Sequence, residues 1–128
     1  SMLCAAHSAA NPLTAHYGIV HGQAVGMMLP HVVRFNGEQT DAQTGYADLA
    51  TLAGITSAAK NETRWLALID WLNSILATAK MPRSLADCGV ERVKISQLAE
   101  EAAQQWTAKF NPRPITKADF SNLFEAAF

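Results

Sequence analysis

At 128 residues the chain has the length of one domain, enough to bury about two thirds of the surface its unfolded form would expose. A net charge of −1 without a lysine or arginine block gives no footing for nucleic acid or an acidic membrane surface, and no apolar run reaches the ~18–20 residues that span a bilayer. Hydrophobic residues make up 49% and charged residues only 16%, a balance that leaves apolar surface for another domain or subunit to cover.

The start shows no charged n-region followed by an apolar h-region, and Ser1 before Met2 reads as a cloning remnant, set aside for the fold. Cys4 and Cys88 form no CxxC pair and no secreted disulfide framework. They read as two buried, reduced thiols of a cytoplasmic protein.

The first predicted helix covers about residues 2–10, almost all small apolar side chains around His7. "NPLTAHYGI" then reads as a loop, because Pro12 disfavours helix at Asn11 and Gly18 adds a break. A second helix runs from about His21 to Phe35, with Val25, Met28, Leu29, Val32 and Val33 apolar and a kink expected at Pro30. Residues 40–53 place Tyr46, Leu49, Ala50 and Ala53 on one face, with Gly54 as the C-terminal stop.

The clearest helical period lies in residues 61–80, where Trp65, Leu68, Ile69, Leu72, Ile75, Leu76 and Ala79 share a face behind Asn61 as N-cap. Residues 95–108 repeat the pattern with Leu98, Ala99, Ala102, Ala103 and Trp106. The last segment starts at Thr116, with Asp119 three residues on as in a capping box, and buries Phe120, Leu123, Phe124 and Ala127. "NGEQT", "AKMPRSLADCGV" and "NPRPIT" carry the breaks between elements, and no alternating strand pattern competes. The expectation is a single all-α domain over residues 1–128, a bundle of about six main helices.

The chemistry-bearing residues cluster near the start. His7 sits among Ala5, Ala6, Ala9 and Ala10, small enough for another group to approach its ring, and His21 opens the next helix. If those helices pack side by side, both imidazoles face one point. The plainer reading of the same spacing is two hydrogen-bonded core histidines, and two ligands fall short of a four-ligand zinc site. Cys4 forms a C-x-x-H with His7, and a structural zinc from Cys4, His7, His21 and His16 lacks the second close-set pair such sites draw on. His31, beside Pro30, reads as a packing or hydrogen-bonding residue, and His16 stays undecided.

The block "AAHSAANPLTAHYGIVHGQAVGMMLPHVVRFN" resembles the metal-binding signature of the iron-containing (group III) alcohol dehydrogenases, a histidine on a small-residue helix followed by a histidine–glycine pair and "LPHV". The resemblance continues through "PRSLADCGV", "ISQLAEEA" and "NPRPITKADFSNLFEAAF" and so covers essentially the whole chain. It implies the C-terminal part of the helical domain of a dehydroquinate synthase-like, iron alcohol dehydrogenase fold. In that family a nucleotide-binding domain holds NAD or NADP, and an Asp and three His hold Fe²⁺ or sometimes Zn²⁺. Two of those histidines match His7 and His21. The metal would polarise an alcohol oxygen while the nicotinamide accepts hydride.

Two departures stand out. The family's D-x-x-x-H helix and nucleotide domain have no counterpart here, so the chain reads as a fragment, inactive alone, whose partners are that missing N-terminal domain and a small alcohol or aldehyde. Where many members carry a histidine, this sequence has Asn11, which cannot relay a proton but can hydrogen-bond substrate or cofactor. The competing readings are a non-catalytic helical interaction domain that keeps only the fold, and a polyol dehydrogenase relative. Met2, Leu3, Val25 and Met28 are expected to be partly bare and to drive self-association.

Overall fold

A computed structural model of the chain describes residues 4–128. Six α-helices follow in order: α1 (Ala5–Tyr17), α2 (His21–Asn36), α3 (Thr40–Leu52), α4 (Asn61–Thr78), α5 (Ile95–Gln104) and α6 (Lys117–Ala126). Three 3-10 turns join them, at Ala86–Cys88, Arg92–Lys94 and Trp106–Phe110. There is no strand among the described residues, and the all-helical expectation holds.

The main core gathers α1, α2, α5 and α6. Ala5, Ala6, Ala9, Ala10 and Leu13 of α1 meet Met27, Met28 and Val32 of α2, with Leu98 and Ala102 of α5 and Phe120 and Phe124 of α6 closing around them. Four alanines on one helix explain how α1 can be surrounded, since side chains this small let neighbouring backbones approach closely. Met28, expected to be bare, is fully buried, because α2 has partners on more than one face; Val25 is half-buried. Met2 and Leu3 lie outside the described residues.

A smaller core holds the α3–α4 hairpin against α2, built from Val33, Ala50, Trp65, Leu68 and Ile69. The Trp65 indole N–H donates to the Val33 carbonyl at 2.9 Å, so the ring is fixed by a hydrogen bond as well as by packing. On the α3–α4 faces read from the period, Leu49 and Ile75 instead remain about half exposed.

Element ends follow local chemistry where it is strong. Gly54 stops α3 in the left-handed region (φ 69°), with its own N–H on the Thr51 carbonyl and that of Ile55 on the Ala50 carbonyl. The Thr116–Asp119 capping box forms as read: the Thr116 N–H donates to Asp119 Oδ2 at 2.8 Å and the Asp119 N–H to Thr116 Oγ1 at 3.3 Å.

Elsewhere tertiary contacts override the sequence. The expected 11–19 loop is helix as far as Tyr17, because Pro12 and Leu13 are buried against the core and their packing outweighs the hydrogen bond that proline removes. The break falls instead at Gly18 (φ 64°), whose N–H caps Thr14. Asn61 is the first helical residue rather than the N-cap, its amide being engaged with Arg64 and with Thr44 Oγ1. α5 ends at Gln104 instead of running to 108, which leaves Trp106 59% exposed rather than on the buried face. Cys4 and Cys88 are free, and both are half-buried rather than buried.

Gly37, just past α2, lies against the Trp65 ring, and a Cβ there would overlap the indole. Gly37→Ala is therefore expected to destabilise the chain by about 2 kcal/mol, an overpacking penalty. Gly45→Ala, mid-α3 with open space around its Cα, should instead stabilise by about 0.5–1 kcal/mol. Urea midpoints of the two variants check both signs.

Candidate metal centre

α1 and α2 are packed neighbours joined by the short segment Gly18–Val20. The left-handed Gly18 turns the chain, and His21, the first residue of α2, lies beside His7, the third residue of α1. The rings of His7 and His21 consequently sit with centroids 5.5 Å apart and planes tilted by 49°. His7 is half-buried and His21 exposed, so the pair opens to the surface. The His7 Nδ1 atom is buried without a hydrogen-bond partner in the protein. A histidine held merely as a core residue normally has both ring nitrogens accounted for. The orphaned nitrogen instead leaves capacity for a group from outside the described residues.

No group of three His, Cys, Asp or Glu suited to a metal gathers among the described residues. The four-ligand zinc combination with Cys4 and His16 therefore does not form. His16 turns to α5, where its Nε2 meets Glu101 Oε2 at 2.7 Å. Donation from Gln97, and then from His16, holds the Glu101 carboxyl below its ordinary range. His31 lies half-buried in a cleft with Arg34, Phe35 and Arg113, and burial, with Arg34 adding to it, pushes its imidazole pKa down.

Asn11, one turn after His7, donates from Nδ2 to Gln105 Oε1 at 3.0 Å. Gln105 is the extended residue (φ −66°, ψ 132°) between α5 and the 3-10 turn Trp106–Phe110. Two residues on, Thr107 Oγ1 and Ser8 Oγ share a fully buried hydrogen bond of 2.6 Å. These two clasps lay the 3-10 turn along α1. Sequence reasoning missed both Gln105 and Thr107, because the helical period through Trp106 carried α5 past them.

A third clasp fixes where α1 begins. Asn36, 1% exposed at the end of α2, donates to Asn111 Oδ1 at 3.1 Å, and Asn111 Nδ2 donates back to Asn36 Oδ1 at 2.7 Å. Asn36 also donates to the Tyr46 hydroxyl at 3.1 Å; burial raises the Tyr46 pKa, and this donor partly offsets it. Asn111 additionally accepts from the Ala5 N–H at 3.5 Å, in the first turn of α1. Arg113 completes the joint, donating to the Phe35 carbonyl at 2.6 Å, pairing with Glu38 and lying 3.8 Å over the Phe35 ring. The "FN" and "NPR" segments of the sequence thus meet in one network.

The chain matches known proteins along its full length. Residues 1–128 match the Fe-containing alcohol dehydrogenase family, C-terminal, and the chain belongs to that family. Lactaldehyde reductase of Escherichia coli is 31% identical over 95% of this chain, which covers 32% of the relative. 1,3-Propanediol dehydrogenase of Citrobacter freundii is 28% identical, with 95% and 31% covered. Among solved structures, 1,3-propanediol oxidoreductase superposes with a TM-score of 0.91 at 27% identity, over 98% of this chain and 32% of the other. Alcohol dehydrogenase from Oenococcus oeni gives 0.90 at 25% identity with the same coverage. The chain spans about a third of the length of the curated relatives it matches.

Ser8→Ala leaves the Thr107 hydroxyl buried without its partner and is expected to destabilise by about 1–2 kcal/mol. Adding Thr107→Val, which removes the orphaned hydroxyl while keeping the shape, should recover most of that loss. Thermal or urea unfolding of the two singles and the double closes the cycle.

Proposed function

We propose that this chain is the metal-binding helical part of an NAD(P)-dependent alcohol dehydrogenase or aldehyde reductase, with His7 and His21 as two of the metal's ligands. The observation that carries the reading is the convergence of the two rings at 5.5 Å, with His7 Nδ1 left unpartnered. Two neutral imidazoles suit Fe²⁺ or Zn²⁺. The remaining ligands, an Asp and a His, would come from a D-x-x-x-H helix that precedes this region in the intact enzyme. A nucleotide-binding domain there would hold NAD or NADP.

When bound, a divalent cation supplies Lewis-acid polarisation of an alcohol or carbonyl oxygen, and a nicotinamide exchanges hydride. The chain's own residues do the positioning. α1 and α2 set the two imidazoles at one spot, and the Ser8–Thr107 bond holds the turn Trp106–Phe110 against α1. Asn11 holds no titrating proton at the position beside them, so a relay there would need another group. With two of the ligands, the chain alone is expected to bind metal weakly and to be inactive.

Calorimetric Zn²⁺ or Fe²⁺ titration of the intact enzyme against its His21→Ala variant tests the assignment. The expected result is a loss of metal affinity of at least about tenfold, with turnover falling in parallel. Unchanged affinity and turnover would remove the ligand role and favour a helical interaction domain that keeps only the fold.

Val20, Leu52 and Trp106 are 70%, 86% and 59% exposed, which supports cover from another domain or copy. The isolated chain is accordingly expected to self-associate. Light scattering from micromolar to millimolar concentration checks this, and a monomer throughout would contradict it.

A further inference from the structure

Helices α2, α3 and α4 enclose a cavity of about 250 Å³ that shares no residue with the histidine pair. α2 contributes Leu29 and Val33, α3 Tyr46, and α4 Leu68 and Leu72. Leu49 and Trp71, 51% and 43% exposed, stand where it opens to solvent. The described lining is carbon throughout. Even Tyr46 turns only its ring to the space, because its hydroxyl accepts from Asn36 Nδ2 at 3.1 Å.

A hydrogen bond ties each pair of the three helices. Trp65 of α4 donates to the Val33 carbonyl of α2 at 2.9 Å, and Arg64 of α4 to Thr51 Oγ1 of α3 at 3.0 Å. Asn36 of α2 reaches Tyr46 of α3. The walls are thereby held at set separations, and the cavity is present before any ligand arrives.

Water gains little in such a space, since a held water needs roughly two to four polar partners. Apolar cavities of about 150 Å³ in other proteins stay dry and take up benzene. A peptide segment fits poorly, because its backbone N–H and C=O groups would enter without partners, and a charged headgroup is excluded on the same ground. We propose that this cavity is a binding site for a small neutral hydrocarbon group, a single aromatic ring or an alkyl group of about six to eight carbons. It is a second site, and it stands whether or not His7 and His21 bind metal.

Toluene is the probe, added to the ¹⁵N-labelled chain while the tryptophan indole N–H signals are followed by NMR. The Trp71 signal is expected to shift and saturate, with half-saturation at ~1 mM or below. Trp106, 59% exposed but outside the cavity, should keep its signal in place. Ala53 also lines the cavity, and Ala53→Phe fills part of it, while Leu49→Asp puts a charge at its opening. Each should weaken toluene binding at least about tenfold. Leu52→Asp, at an 86% exposed residue outside the lining, should leave it unchanged. The Trp65 indole signal without toluene, held by the Val33 carbonyl, verifies that each variant is folded.

A Trp71 signal that does not move, or Trp71 and Trp106 shifts that grow together without saturation, overturns the site. So does binding that survives both Ala53→Phe and Leu49→Asp. Binding that is lost as chain concentration rises, with dimers in light scattering, gives the cavity to a second copy and overturns it as well.

Discussion

The reciprocal amide pair between Asn36 and Asn111 is the constraint on which the geometry depends. Two carboxamides that donate to each other close a ring with little freedom left, and Asn36 is almost entirely out of solvent. Groups buried to that degree must be satisfied, so the end of α2 and the start of the "NPRPIT" loop can meet in few other ways. Through Tyr46 the pair ties in α3, and through the Ala5 N–H it sets the first turn of α1. The position of His7 is therefore referenced to a residue 104 positions further along the chain.

From that joint the histidine geometry follows by short steps. α1 is flanked by α2, α5 and the 3-10 turn, and its alanines let all three come close. A left-handed glycine then turns the chain, and the first residue of α2 lies beside the first turn of α1. Neither helix could bring the two rings together alone. The contact between α1 and α2, across the segment Gly18–Val20, brings them together. The Asn11–Gln105 and Ser8–Thr107 bonds belong to the same design, laying a third segment along α1.

The α3–α4 hairpin stands apart from this chemistry. It packs on the outer side of α2 through its own small core, with Trp65 fixed by the Val33 carbonyl and fitted against the bare Cα of Gly37. Its role toward the site is indirect. It braces the C-terminal half of α2, and Tyr46 supplies one of the contacts of Asn36.

The amino-acid sequence by itself determined the helical class, the number of main helices, the stop at Gly54, the capping box at Thr116 and the pair of histidines worth examining. Each is written in a short window, as a 3.6-residue period, a glycine free to take positive φ, or a side chain three residues from the N–H it accepts from. Only the tertiary structure decided that Pro12 lies inside a helix, that α5 ends at Gln104, that Asn61 is not a cap, and that Gln105 and Thr107 bond to Asn11 and Ser8 of α1. Those outcomes turn on partners outside the local window, 17 positions away for Asn61 and 94 and 99 for Gln105 and Thr107, or on burial that outweighs local preference, as at Pro12 and Leu13. A hydrogen bond across that separation leaves no periodic trace in the sequence, because nothing local requires it until the helices have packed.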